Sequence, residues 1–146
     1  MAKPRALKIL IGKDFALAKK LKADGVHFSD RDHLPLQFLN KKTAPKKFIF
    51  SISCHNFKSV LKSLKLKPDM IFISPIFPTT SHSDAEILGL RNLAKISFKT
   101  KKQGYLFGLT SAPIYALGGI NSDNIQSVGK LQISGFGAID FFSGHL

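Results

Sequence analysis

Two aspartates that follow a short apolar run are the first candidates for chemistry. Asp30 and Asp32 flank Arg31 just after the run that ends at Phe28. One or two carboxylates together with substrate phosphates are the usual ligands of Mg²⁺, so Asp32 or Asp30 could hold that ion. A solvated turn in which an aspartate pairs with Arg31 is the alternative.

A serine and a histidine follow another apolar run, in the sequence Ser53-Cys54-His55. Alternation of side chains along a strand puts Ser53 and His55 on the same side. An imidazole can transfer a proton near neutral pH, so His55 is a candidate acid or base, with a helix-capping or merely polar role as the alternative. Cys54 has no charge partner visible in the sequence, which predicts a buried, inert thiol rather than a nucleophile.

A loop rich in hydroxyl groups follows the apolar run that begins at Met70. Hydroxyls and exposed amides suit a phosphate or pyrophosphate, which predicts a loop that covers a substrate. A plain connection stiffened by two prolines is the alternative. The polar candidates in this loop are Thr79, Thr80, Ser81 and His82.

A glycine pair, Gly118-Gly119, ends a further apolar run and precedes the cluster Asn121-Ser122-Asp123. Glycine lets the backbone approach a ligand closely, and the first amides of a helix favour an anion. This placement predicts a second phosphate contact, with a tight turn as the alternative.

Six short apolar runs, with helix-like segments between them, supply the elements that would position these residues. Phe57, Val60, Leu61 and Leu64, for example, have the spacing of a helix with one buried face. Strands that alternate with helices predict one α/β domain over residues 1–146, with a parallel sheet buried on both faces. A doubly wound open sheet and a (β/α) barrel both fit, and both place an active site at the carboxyl ends of the strands. The predicted strands are Ala6–Ile11, Gly25–Phe28, Phe48–Cys54, Met70–Ile76, Pro113–Leu117 and Gly135–Phe141.

The net charge of +13 comes almost entirely from lysine, because Arg5, Arg31 and Arg91 are the only arginines. Nucleic-acid readers rely on arginine, so we expect solvated lysines that attract small anions rather than a specific nucleic-acid partner. A basic nucleic-acid-binding module is the alternative. No apolar run reaches the about 18 residues of a membrane-spanning helix, which predicts no membrane partner. A single cysteine excludes an intramolecular disulfide and favours the cytoplasm.

Taken together, these stretches resemble the thiamine phosphate synthase and TenI family, whose members are (β/α)8 barrels. The resemblance runs from about residue 6 to about residue 142, and its most specific part is Ser-Pro-Ile-Phe-Pro-Thr, residues 74–79. It implies an α/β fold of the TIM-barrel family that is incomplete, with about six β/α units corresponding to strands three to eight. The matching stretches are Ala23–His27, Ser53–His55, Ser74–Ser81, Leu88–Leu90 and Ala116–Ile120, followed by Gly135.

An incomplete barrel would expose two strand edges and its apolar interior. Three explanations follow: a start recorded downstream of the true one, pairing of the chain with another copy in a homo-oligomer, or a decayed remnant. The first is favoured because Ala6–Ile11 already has the composition of a buried strand.

The resemblance implies a reaction of thiamine biosynthesis that joins hydroxymethylpyrimidine pyrophosphate to hydroxyethylthiazole phosphate and releases pyrophosphate. These phosphorylated small molecules would be the ligands, and Asp32 would hold a Mg²⁺ cofactor. Ser53 would contact substrate, and His55 lies at the histidine to which the TenI branch's thiazole tautomerisation is attributed. The phosphate-binding set would be Thr79, Thr80, Ser81, His82, Gly118, Gly119 and Ile139.

Several residues depart from the family's pattern. The family's Gln-x-Arg-x-Lys pyrophosphate clamp belongs to its second strand, outside the resemblance. Gly12-Lys13 stands in place of Asn-Asp, so a lysine replaces one expected metal carboxylate, and His82 replaces a lysine. Asp140 replaces a phosphate-binding serine, and unit charges of like sign about 4 Å apart repel by about 4 kcal/mol at an effective dielectric near 20. These departures favour two alternatives to a synthase: a TenI-like tautomerase and a non-catalytic phosphate-ligand-binding protein.

Overall fold

The structure, a computed structural model, describes residues 7–32, 48–79, 86–107 and 112–138. Strands and helices alternate along these ranges. None of the helices described is long and apolar enough to cross a membrane. The strands are β1 (Leu10–Gly12), β2 (Gly25–Ser29), β3 (Ile49–Cys54), β4 (Met70–Ile73), β5 (Ile114–Leu117) and β6 (Gly135–Gly137). The helices are α1 (Phe15–Lys20), α2 (Phe57–Leu64), α3 (Gly89–Phe107) and α4 (Ile125–Gly129).

The strands form one parallel sheet whose order follows the chain from β1 to β6. A doubly wound sheet reverses its strand order at a switch point, whereas a (β/α) barrel places each strand beside the one before it. The order therefore decides between the two predicted architectures and confirms a fold of the TIM-barrel type. Within the described ranges, β1 and β6 each have one neighbouring strand.

One face of the sheet packs against the helices and forms the core. Its side chains include Val26, Phe28, Ile52, Ile71 and Ile73, each at most 1% exposed. Full burial of an aliphatic or aromatic side chain contributes about 1.5–3 kcal/mol, so this layer supplies the main stabilisation of the sheet. The helices cover it with Ala18, Val60, Leu64, Leu93, Ile96 and Val128.

The other face carries mainly polar and aromatic side chains, of which Ser51 is buried and His27, Phe72 and Tyr115 are half-buried. His27 Nδ1 lies 2.9 Å from Ser51 Oγ, and its ring meets the Phe72 ring edge-on with 5.6 Å between centroids. Phe72 in turn contacts Tyr115 at 5.4 Å. Strict alternation puts these residues opposite the core face.

The boundaries of several elements differ from the prediction, and β1 covers Leu10–Gly12 where the predicted strand was Ala6–Ile11. Strand β4 ends at Ile73 rather than Ile76, and Pro75 has no amide hydrogen with which to continue the ladder. Helix α4 begins at Ile125, so the cluster Asn121–Asp123 lies in the turn before it.

Candidate active site

The carboxyl ends of the strands bring the candidate residues to one edge of the sheet. Lys13 follows β1, the turn Asp30–Asp32 follows β2, His55 follows β3, Ser74 to Thr79 follow β4, and Gly118 opens the turn after β5. Parallel pairing places these ends side by side. The predicted location of the site is therefore the place where the structure assembles its polar side chains.

The ring of His55 is held by the backbone carbonyl of Ser74 on one side and faces the carboxylate of Asp30 on the other. Its Nδ1 lies 2.7 Å from the carbonyl oxygen of Ser74. Because a carbonyl only accepts, Nδ1 carries the hydrogen and Nε2 is left to exchange a proton. Nε2 lies 3.5 Å from Asp30 Oδ1, and the two side chains are 22% and 11% exposed. His55 is thus oriented as an acid or base would need to be.

Asp30, one of the two candidate metal ligands, contacts His55. Its Oδ2 accepts the backbone amide of His55 at 3.3 Å, and its own amide donates to the Ser53 carbonyl at 2.8 Å. The β2–β3 register aligns Ser29 with Ser53, so Asp30, directly after β2, lies within reach of His55, directly after β3. Sequence reasoning missed this pair because the register between two strands is not a local property of the chain.

Asp32, the predicted metal ligand, has a partner on each carboxylate oxygen. Oδ2 accepts the Ser29 amide at 2.7 Å, and Oδ1 lies 3.3 Å from the Lys13 ammonium. No group of three or more histidine, cysteine or acidic side chains suited to a metal ion occurs among the described residues. As arranged, Asp32 does not fit the Mg²⁺ site that the resemblance implies.

Ser53 and His27 lie deeper in the sheet, below the edge. Ser53 is buried, and its hydroxyl donates to the carbonyl of Phe28 at 3.5 Å. Burial lowers the pKa of His27, and the negative charge of Asp32 acts in the opposite direction. The imidazole of His27, on the strand that precedes Asp32, is thus neutral near pH 7.

Cys54 lies on the core face, as predicted for a structural thiol. Its sulfur is fully buried and lies 3.2 Å from Ser63 Oγ. Burial raises the pKa of this thiol to about 11. The thiolate form needed for nucleophilic chemistry is therefore strongly disfavoured.

The glycine pair fits closely against the loop that follows β4. Gly118 and Gly119 have φ angles of 92° and 65°, which side-chain-bearing residues rarely adopt. A Cβ on Gly119 would collide with the Pro78 carbonyl oxygen and lie 2.8 Å from Phe77 Cβ. The Phe77 amide also donates to the Gly118 carbonyl at 3.1 Å, so the turn and the loop are one unit.

Thr79 is half-buried at the end of the described part of this loop. The remaining predicted phosphate ligands lie outside the described residues, as does Asp140; they are Thr80, Ser81, His82 and Ile139.

A protein-family model described as thiamine monophosphate synthase matches residues 1–140 of the chain. A thiamine-phosphate synthase of Pyrococcus furiosus is 32% identical over 131 residues, which are 90% of this chain and 56% of that protein. A thiamine-phosphate synthase of Clostridium tetani is 28% identical over 138 residues, or 94% of this chain and 60% of that protein.

Among solved structures, a thiamine phosphate pyrophosphorylase from Pyrococcus furiosus is similar to this chain, with a TM-score of 0.69 and 27% sequence identity. The match covers 90% of this chain and 56% of that structure. The chain therefore spans about three fifths of the length of these relatives.

Proposed function

The chain belongs to the thiamine monophosphate synthase family, and on that premise we propose that its site joins hydroxymethylpyrimidine pyrophosphate to hydroxyethylthiazole phosphate. A bond forms between the thiazole nitrogen and the pyrimidine methylene carbon, and the bond from that carbon to the pyrophosphate oxygen breaks. Pyrophosphate leaves with the bonding electron pair. The observation that carries the proposal is the assembly of His55, Asp30, Asp32 and Lys13 at one sheet edge beside the Gly118 turn.

The phosphate groups would be held by backbone and hydroxyl donors. The backbone amides of Gly118 and Gly119 would donate to a phosphate, and Thr79 would add a hydroxyl from the loop against which both glycines pack. Thr80, Ser81, His82 and Ile139 complete the proposed set. These groups would stabilise the negative charge that the leaving group develops.

His55 and Ser53 would act on the organic part of the ligand. With Nδ1–H directed at the Ser74 carbonyl, Nε2 of His55 faces Asp30 and is the ring atom that would exchange a proton with the ligand. The Mg²⁺ ion implied by the resemblance does not fit Asp32 as the structure has it, so no step of this reaction is assigned to it.

A TenI-like thiazole tautomerase is the second candidate, because the His55–Asp30 pair alone could move a proton on a bound thiazole phosphate. A protein that binds such a ligand without turning it over would need the phosphate contacts only. We propose phosphorylated small molecules as ligands in each case. We also propose that the protein acts in the cytoplasm, as its single cysteine predicts. Pairing of the chain with another copy in a homo-oligomer stays a prediction.

The test is a thiamine phosphate formation assay, followed by chromatography, with both substrates and Mg²⁺ supplied. It is run on the chain as printed and on any longer upstream in-frame coding sequence that contains it. We expect product from at least one form, and a loss of about 10²-fold in turnover for His55→Asn. Lys8→Ala is the matched control, because Lys8 pairs with Asp24 before the strands, away from the site.

Absence of product from both forms, with each shown to be folded, would overturn the synthase proposal. Conversion of the thiazole phosphate tautomer in that case would support the tautomerase, and ligand binding without conversion would support the non-catalytic protein.

A further inference from the structure

We propose that the Lys13 ammonium takes the place of a divalent metal ion beside Asp32, so that this edge of the sheet binds a pyrophosphate group without magnesium. The inference rests on the proposed function, because it names the cation of that same site. The family resemblance implies a magnesium ion at Asp32, whereas the structure places the Lys13 ammonium there.

Both carboxylate oxygens of Asp32 already contact a donor group. The Ser29 amide, 2.7 Å from Oδ2, fixes the orientation of the carboxylate. The Lys13 ammonium, 3.3 Å from Oδ1, supplies the opposite charge. At 18% exposure the Asp32 side chain is largely shielded from water, which strengthens its attraction to a cation.

Lys13 is fixed by its backbone, while its amino group stays open to solvent. Its φ of 63° is left-handed, and its amide donates to the His27 carbonyl at 2.8 Å. The next residue, Asp14, caps α1 by accepting the Leu17 amide. The Lys13 side chain is 73% exposed, so the ammonium can contact Asp32 and an incoming anion at the same time.

The second carboxylate of the turn after β2 already has partners. Asp30 contacts the amide and the ring of His55. Mg²⁺ requires near-octahedral oxygen coordination and gives up water reluctantly. One carboxylate already paired with an ammonium is a poor start for such a site, whereas a lysine is a common phosphate binder that needs no coordination sphere.

The first experiment titrates the protein with Mn²⁺ alone, followed by electron paramagnetic resonance of the free ion. The variants are Lys13→Asp, which restores a carboxylate, and Lys13→Asn, which has the same shape without the charge. Both side chains tolerate the left-handed backbone at this position. We expect Lys13→Asp to bind Mn²⁺ at least about tenfold more tightly than the unmodified protein. Equal Mn²⁺ affinity in the two would overturn the proposal.

The second experiment measures binding of inorganic pyrophosphate by calorimetry, once with EDTA and once with Mg²⁺. We expect affinities within about twofold of each other for the unmodified protein, and a loss of about tenfold in EDTA for Lys13→Asn. Lys8→Ala, which removes the comparable pair with Asp24 at the amino ends of the strands, should bind like the unmodified protein. Thermal unfolding followed by circular dichroism confirms that each variant is folded.

Two outcomes of the second experiment would overturn the inference: pyrophosphate binding by the unmodified protein that Mg²⁺ tightens about tenfold, or equal affinities of Lys13→Asn and Lys8→Ala. If thiamine phosphate is still formed, the proposed function survives such a result. Magnesium-free pyrophosphate binding that depends on Lys13, without product formation, would support the inference while the proposed function fails.

Discussion

At the scale of single residues, a half-buried histidine in the sheet makes the stability of the fold depend on pH. His27 is half-buried between Ser51 and Phe72, and its pKa is lowered by burial. In the unfolded chain the imidazole has an ordinary pKa of about 6.5. As the pH falls through that value, the unfolded chain gains a proton that the native protein does not, so stability is full above about pH 6.5 and falls below it.

The resulting prediction concerns the pH dependence of unfolding. We expect the free energy of unfolding to fall between pH 7.5 and pH 5.5, with His27 contributing at most about 1.4 kcal/mol per pH unit. Urea titrations at the two pH values should show a smaller fall in His27→Gln, which does not titrate there. The exposed substitution Gln126→Ala should leave the pH dependence unchanged, and an equal fall in His27→Gln would contradict the assignment.

Cys54 gives a second prediction at the residue scale. With a pKa near 11 and a sulfur buried against Ser63, roughly one thiol in a thousand is ionised at pH 8. We expect a disulfide reagent such as Ellman's to react with the native protein at least about a hundredfold more slowly than with the protein in urea. Equal rates in the two conditions would show that the thiol is accessible in the fold.

At the scale of elements, the turn after β5 packs tightly against residues 75–78, which follow β4. Gly119 has a left-handed φ and no room for a Cβ beside Pro78, whereas Gly129 in α4 has nothing within 4 Å of such an atom. Chain sections that are packed this closely cannot adjust independently.

We therefore expect Gly119→Ala to lower the free energy of unfolding by about 1–3 kcal/mol and to weaken binding of hydroxyethylthiazole phosphate. Gly129→Ala is the matched control, since alanine is the better helix former, and it should be neutral or stabilising by up to about 1 kcal/mol. Urea denaturation and calorimetry measure both effects. Equal stability of the two variants would show that the turn has room to adjust.

At the scale of the whole molecule, the net charge of +13 gives the protein an overall positive potential. Such a field attracts anions from a distance and is screened over about 10 Å in 0.1 M salt. The lysines therefore favour phosphorylated ligands over neutral ones without contacting them directly.

The corresponding prediction is that association of hydroxyethylthiazole phosphate slows by about tenfold between about 0.05 M and about 0.5 M sodium chloride. Stopped-flow or surface-binding kinetics would measure it. Unphosphorylated hydroxyethylthiazole, which carries no phosphate charge, is the control and should show no such change. A salt-independent rate for the phosphorylated ligand would mean that the lysines do not steer binding.

Local sequence pattern was sufficient to predict the succession of strands and helices, whereas the edge at which the site lies stays a prediction. Short apolar runs separated by amphipathic segments depend on neighbouring residues only, and they predicted strands that overlap β2, β3, β4 and β5 closely. The placement of chemistry at the carboxyl ends followed from the parallel α/β architecture. The family resemblance added the barrel-type fold, which strand order confirmed.

Partners of the charged side chains were decided only by the tertiary structure. His55 meets Asp30, and Lys13 meets Asp32, because parallel strands in a fixed register bring residues from different strand ends within a few ångströms. The polar inner face around His27 depends in the same way on which side of the sheet the helices cover. Sequence determined which groups are present and near which end of each strand they lie. Register and packing determined which charge neutralises which, because electrostatic pairing depends on distance in space, not along the chain.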